Sequence, residues 1–219
     1  MDKKAFDLAV RYLSYRSRSQ KEIRDYLNGK GYSSREIQTA IDKLHQYGYQ
    51  SDESFGKEFV RIKGEGGKKG SRFVSAKLKE KGIEEELVEK IINEEYPPEK
   101  ELLIAQDEGY RYFHSHRALP MNLLLNKLYQ RLMGKGFTHG AIHHTLETLK
   151  NDPEVRKAID EMVDVHYEKA LEEAQKVLRK RERKDETHYK KRGAVYSSLL
   201  RKGFTSEVIK RVQETLEDE

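Results

Sequence analysis

Leu27-Asn28-Gly29-Lys30-Gly31-Tyr32 is the stretch on which the reading of this chain turns, because its frame returns three more times. The later copies are Leu78-Lys79-Glu80-Lys81-Gly82-Ile83, Leu132-Met133-Gly134-Lys135-Gly136-Phe137 and Leu199-Leu200-Arg201-Lys202-Gly203-Phe204. Six residues beyond each shared Gly stands a branched apolar residue: Ile37, Val88, Ile142 and Ile209. A pattern that recurs about every fifty residues, with a longer insertion before the fourth copy, is an internal repeat. Its physics is that of a helix end. Gly supplies the left-handed backbone of a C-cap, and the aromatic or Ile residue just beyond folds back on the last apolar turn. Ser33, Thr138 and Thr205 follow with side-chain oxygens suited to N-cap a second helix, and Glu84 breaks that column.

Working outward, Ile37, Ile41 and Leu44, then Ile142, Leu146 and Leu149, carry helical spacing with one apolar stripe each. Ser19-x-x-Glu22 reads as a capping box dividing a helix over 5–16 from one over 21–29. Each copy is therefore expected to be three helices, too thin to be stable alone. The copies are 1–49, 50–96, 97–150, and 151–219 as a long helix plus the fourth repeat. The prolines, at 97, 98, 120 and 153, fall between proposed helices, with Asp152-Pro153 a cap followed by a first-turn Pro. Residues 154–184 contain neither Gly nor Pro and read as one helix about 45 Å long. No segment alternates as a strand does, so the fold class is all-α.

Composition limits function. The 219 residues are 36% hydrophobic and 37% charged, with net charge +5, no Cys and no Trp. Without Cys there is no disulfide scaffold, no thiolate nucleophile and no Cys-based zinc site, and a reducing, cytoplasmic setting is expected. Charges interrupt every apolar stretch of the first twenty residues, so no secretory signal is expected. The longest apolar run, Leu102 to Ala105, is far too short to span a bilayer.

The basic residues are clustered. Between Lys57 and Gly82 nine basic residues stand against three acidic ones, and between Lys176 and Gly203 eleven stand against three. Such stretches neutralise phosphates or dock on acidic protein surfaces, and they also occur simply as solvated helix faces. Gly64-Glu-Gly-Gly-Lys-Lys-Gly-Ser71 differs from a phosphate-binding P-loop in the order Lys-Gly-Ser and in the lack of a preceding strand, and reads as a flexible basic linker. His139 with His143, and His114 with His116, lack a third ligand at metal-site spacing. Glu84 to Glu86 suit the start of a helix better than acid–base chemistry. With no nucleophile triad, dinucleotide loop or metalloprotease motif, no enzyme, cofactor or metal is expected.

Several of these residues together resemble a known family, the RecX regulators of the bacterial RecA recombinase. The likeness runs through Ala9 to Leu13, Arg18-Ser19, Glu22, the first Leu-x-x-Lys-Gly-Tyr, Asp52-x-x-Phe55, Phe59-Val60-x-x-Lys63, Gly70-x-x-Phe73 and the three later Lys-Gly motifs. Two departures are Lys63, where the family often has Arg, and a fourth copy behind a long helix, where many members have three copies. The resemblance implies tandem three-helix repeats in a curved, elongated arrangement, and a monomer that binds RecA filaments on single-stranded DNA. It also implies that binding inhibits filament extension, ATPase and recombinase activity, with no cofactor. The candidates for docking on the filament or its DNA are Arg61, Lys63, Lys68, Lys69, Arg72, Lys77 and Lys81, then Lys190, Lys191, Arg192, Arg201 and Lys202. The alternative is a sequence-tolerant DNA-binding repeat protein without RecA. Base reading by a recognition helix is opposed by Glu84-Glu85-Glu86 at one third helix, and by the absence of Arg and Lys from Thr138 to Leu149 in another.

Because Leu27, Leu78, Leu132 and Leu199 share one column, Leu78→Ala should cost about 2 to 5 kcal/mol in a urea titration. Gly82→Val should be harmful, whereas Gly66→Ala and Gly67→Ala, in the expected linker, should be tolerated.

Overall fold

Ser19 illustrates why helices start where they do in this chain. Its hydroxyl accepts the Glu22 N–H at 3.2 Å while the Glu22 carboxylate accepts the Ser19 N–H at 3.2 Å, the reciprocal capping that the spacing predicts. Ser33 and Glu36 repeat the device one helix later. The computed structural model describes residues 2–182 and 187–218, and among these it contains thirteen α-helices, one π-helical segment and no strand.

The first copy is α1 (Asp2–Leu13), α2 (Gln20–Asn28) and α3 (Ser34–Gln46). The second is α4 (Asp52–Phe59), continued by the π-helical segment Val60–Gly66, then α5 (Ser71–Glu80) and α6 (Glu85–Glu95). The third is α7 (Pro98–His116), α8 (Met121–Gly134) and α9 (His139–Asn151). After these come α10 (Pro153–Asp160), α11 (Val163–Glu182), α12 (His188–Arg201) and α13 (Ser206–Asp218). None of the described helices is long and apolar enough to cross a membrane. The chain divides into two compact units, Met1–Ala105 with Met133–Ala141, and Gln106–Leu132 with Ile142–Glu219.

The repeat columns take the places expected of them. Leu27, Leu78, Leu132 and Leu199 are all fully buried, as are Ile142 and Ile209, with Ile37 and Val88 nearly so. Gly31, Gly82, Gly136 and Gly203 have φ between 78° and 85°. Thr138 and Thr205 accept the N–H of Ala141 and Val208, whereas Glu84 makes no side-chain cap.

The glycines do more than end helices. A Cβ on Gly82 would stand 2.8 Å from Lys21 Cβ, at the start of α2. One on Gly136 would stand 2.6 Å from the backbone N of Phe73, near the start of α5, and one on Gly203 would stand 2.8 Å from the N of Leu123, near the start of α8. The C-cap loop of each later copy thus lies flat on the second helix of the copy before it. Backbone bonds tie the best example: the Gly70 N–H donates to the Lys135 carbonyl and the Arg72 N–H to the Gly136 carbonyl. Gly31 has nothing within 4 Å and serves as a cap alone.

Two expectations fail. Residues 154–184 do not form one helix: α10 ends at Asp160, where the Met162 N–H turns back to Ile159 at i−3, and α11 begins anew at Val163. No Gly or Pro marks the break, which is why periodicity ran through it. Arg183 and Lys184 lie outside the described residues. The Gly-rich segment 64–71 is not a flexible linker but a folded crossing. Gly64 packs on Val74 and Tyr96, the Lys69 N–H donates to the Gly64 carbonyl at 2.9 Å, and the Tyr96 hydroxyl donates to the Lys69 carbonyl at 2.8 Å. A Cβ on Gly67 would lie 2.5 Å from the Lys63 carbonyl oxygen, so Gly67→Ala is disfavoured, whereas at Gly66 the nearest neighbour is 3.5 Å away.

Two measurements follow from this packing. Gly31→Ala should cost about 1 kcal/mol through its positive φ alone, and Gly82→Ala distinctly more, because it also forces Lys21 away, which parallel denaturant titrations will compare. At Glu22, burial works to raise the carboxyl pKa but is outweighed by hydrogen bonds from Lys81, Arg16 and the Ser19 N–H, so the folded value lies below the ordinary 4.5. Its contribution is therefore present above that value and lost as pH falls through the folded one. Glu22→Gln should flatten the acid limb of the stability profile measured by urea titration between about pH 3 and 6.

Candidate interaction surface

The first basic cluster is organised by the π-helical segment. The wider turn there, closed by i→i+5 bonds, keeps Val60 and Gly64 buried and leaves Arg61, Ile62 and Lys63 exposed together. Beside them lies a groove of about 400 Å³ with Phe55, Phe59 and Ile62 on its apolar side and Arg16, Lys63 and Lys81 as its cations, with Ser17 and Glu58 completing it. Ile62 is 49% exposed.

The seven candidates of this cluster are not equivalent. Arg61, Lys63 and Arg72 are exposed and meet no carboxylate among the described residues. Lys68 and Lys69 are half-buried in the crossing, with the Lys69 ammonium 5.1 Å from the Phe73 ring centre and Lys68 at φ 49°. Lys77 is paired with Glu80 at 2.6 Å. Lys81 is paired with Glu22 at 2.7 Å, and its carbonyl accepts the Ser19 hydroxyl at 2.7 Å, so it joins the first and second copies. Nearby, the Arg18 guanidinium lies 4.2 Å over the Tyr12 ring.

The second cluster is split by helix geometry. Lys190, Lys191 and Arg192 stand near the start of α12, and Arg201 and Lys202 at its other end, about 16 Å apart along the axis. Lys190 and Arg201 are exposed, Lys191 is half-buried, and the Arg192 carbonyl accepts the Gln213 amide. Lys202 is paired with Glu173. The Lys of the repeat motif is thus held by a carboxylate in the second and fourth copies. The two clusters belong to different units.

The remaining polar features are accounted for locally. His139, His143, His114 and His116 are exposed, and His116 stacks on Tyr112 at 4.0 Å. Among the described residues no group of three His, Asp or Glu could hold a metal ion. At the start of α6, the Glu85 carboxyl lies below its ordinary pKa because Lys79 donates to it. Phe55 and Phe59 carry the family likeness, but that they form a groove with Ile62 was not legible in the sequence. Their spacing is that of an ordinary core stripe, and the usable signal was the stripe running directly into Lys63.

Comparison with known proteins places these features. The family model for the first three-helix domain of RecX matches residues 5–44, the model for the second matches 51–91, and the model for the third matches 164–212. The third match falls on α11 to α13, so the fourth copy by chain order corresponds to the family's third domain. The copy over 97–150 lies between the second and third matches. Regulatory protein RecX of Oceanobacillus iheyensis is 28% identical over 99% of this chain and 76% of its own length. That of Streptococcus uberis is 30% identical, over 93% and 74%. That of Lactobacillus gasseri is 32% identical, over 94% and 72%. The crystal structure of RecX from Lactobacillus salivarius shares the fold, with a TM-score of 0.64 and 23% identity over 68% of this chain and 96% of that one. On the strength of three matched domains and relatives aligned along nearly its whole length, the chain belongs to the RecX family of regulatory proteins.

Proposed function

We propose that this protein binds RecA filaments on single-stranded DNA and restrains them, limiting filament extension and with it ATPase and recombinase activity. It does so by occupying the filament, without catalysis, cofactor or metal, as a monomer in the cytoplasm. The observation that carries the reading is the run of three family domains from residue 5 to residue 212, in chain order. Charge supports it. Arg61, Lys63 and Arg72 are exposed with no carboxylate partner among the described residues, Lys63 lines an apolar groove, and Lys190 and Arg201 are exposed in the second unit. A nucleoprotein filament offers both phosphates and carboxylates to such a surface. Lys68, Lys69, Lys191 and Arg192 are secondary contacts in this reading, and Lys77, Lys81 and Lys202 serve chiefly to hold the fold.

The test is RecA ATPase on single-stranded DNA with substoichiometric protein added, for which inhibition is expected. Reversing Arg61, Lys63 and Arg72 to Glu should leave the helical circular dichroism unchanged while weakening inhibition. The salt dependence of binding to single-stranded DNA should fall by roughly 0.7 in log–log slope for each phosphate that is no longer neutralised. Lys81→Glu should instead lower the unfolding midpoint, because it sets two carboxylates together at Glu22. If the wild-type protein neither binds nor alters RecA on single-stranded DNA at low salt, the reading fails and sequence-tolerant DNA binding replaces it.

A further inference from the structure

Three junctions in the chain are built from the same parts: the first turn of a second helix, and the beginning of the following copy's first helix set against it. At the first, the Asp52 carboxylate accepts the Gln20 N–H of α2 at 2.8 Å. At the second, Glu101, the fourth residue of α7 and 2% exposed, serves two helices at once. It accepts the Ser71 N–H at 2.8 Å and hydroxyl at 3.1 Å, and the Thr138 N–H at 3.1 Å and hydroxyl at 2.7 Å. One buried carboxylate thereby satisfies the positive ends of α5 and α9.

The third junction, within the second unit, repeats the arrangement with one substitution. Met121 opens α8, Thr205 precedes α13, and the fourth residue of α11 is His166 instead of an acid. These three residues line one cavity of about 300 Å³, joined by Lys150 and Arg156, with Asp160 its single acid. Among the described residues, no protein acceptor meets the N–H of Met121 or of Thr205, the counterparts of the Ser71 and Thr138 groups that Glu101 serves. His166 is 5% exposed, and its Nε2 is buried without a hydrogen-bond partner. Burial first, and then the charge of Lys169, holds the ring below its ordinary pKa, so it is neutral at pH 7. Among the described residues, the Arg156 guanidinium donates to the Lys150 carbonyl and Asn151, both neutral, and Lys150 meets Glu147 at 4.0 Å.

We infer that this cavity binds a small phosphate-class oxyanion, which occupies in the second unit the place that the Glu101 carboxylate occupies in the first. Two helix N-termini and two cations supply the attraction, and the anion supplies the acceptors that α11 lacks. The site stands independently of any RecA partnership.

The experiment is thermal unfolding of the full chain at fixed ionic strength, with inorganic phosphate replacing chloride. The wild-type midpoint should rise along a saturable binding curve. At one hundred times its dissociation constant the anion shifts the folding equilibrium about 100-fold. His166→Glu, which restores the acid in sequence, should start from a higher midpoint in chloride and show no saturable response. A flat wild-type titration overturns the inference. So does a featureless linear rise shared by both proteins, which is the general salting effect of phosphate. Should His166→Glu fail to fold, calorimetric titration of wild type and Arg156→Met with phosphate decides instead: saturable heat that disappears in the variant supports the site, and heat retained unchanged overturns it. Repeating the titration with a deoxynucleoside 5′-monophosphate distinguishes a free ion from a phosphate carried on a nucleotide. Saturation by phosphate alone supports a site for the free ion, and saturation by both supports one that also admits a phosphate carried on a nucleotide.

Discussion

Backbone lying directly on backbone is the constraint from which the rest of this structure follows. Where the loop at Lys135-Gly136 meets Gly70-Ser71-Arg72, a Cβ on Gly70 would come within 2.2 Å of the Gly136 carbonyl oxygen, and two main-chain hydrogen bonds close the contact. Nothing larger than Gly fits, although Gly70 itself has an ordinary φ of −71°. Gly203 likewise approaches the backbone of Leu123, and Gly82 lies as close to the side chain of Lys21. These contacts couple each later three-helix copy to the copy before it.

Much of the fold was legible in the sequence because helix ends are chemically explicit. Ser19 with Glu22, Asp152 before Pro153, and Gly after Lys are local statements, and burial of the shared Leu follows from spacing alone. What escaped reading depends on partners distant in sequence. Gly67 sits in a run that composition describes as a linker, and only its approach to the Lys63 carbonyl shows it to be folded. Nothing local distinguishes Glu101 from the other acids at helix starts, because its partners lie at Ser71 and Thr138. The break after Asp160 uses no helix-breaking residue at all.

The candidate surface divides in the same way. Counting basic residues found the two clusters, but counting cannot tell a charge held by the fold from a charge offered to a partner. Lys81 and Lys202 belong to the repeat motif and answer to Glu22 and Glu173, whereas Arg61 and Lys63 owe their exposure to a local widening of the helix. That widening also exposes Ile62 beside them, so the available charge is adjacent to available apolar surface. Such a mixture suits protein contact as well as phosphate contact.

The loop-on-helix contacts also give synthesis a direction. The Ser19 hydroxyl waits for the Lys81 carbonyl, 62 residues further along, and the later contacts span comparable lengths. As the chain leaves the ribosome, each copy emerges with the start of its second helix uncovered, and it is closed only when the next copy's Lys-Gly loop arrives. A nascent chain halted after any of the first three copies therefore displays one unsealed end.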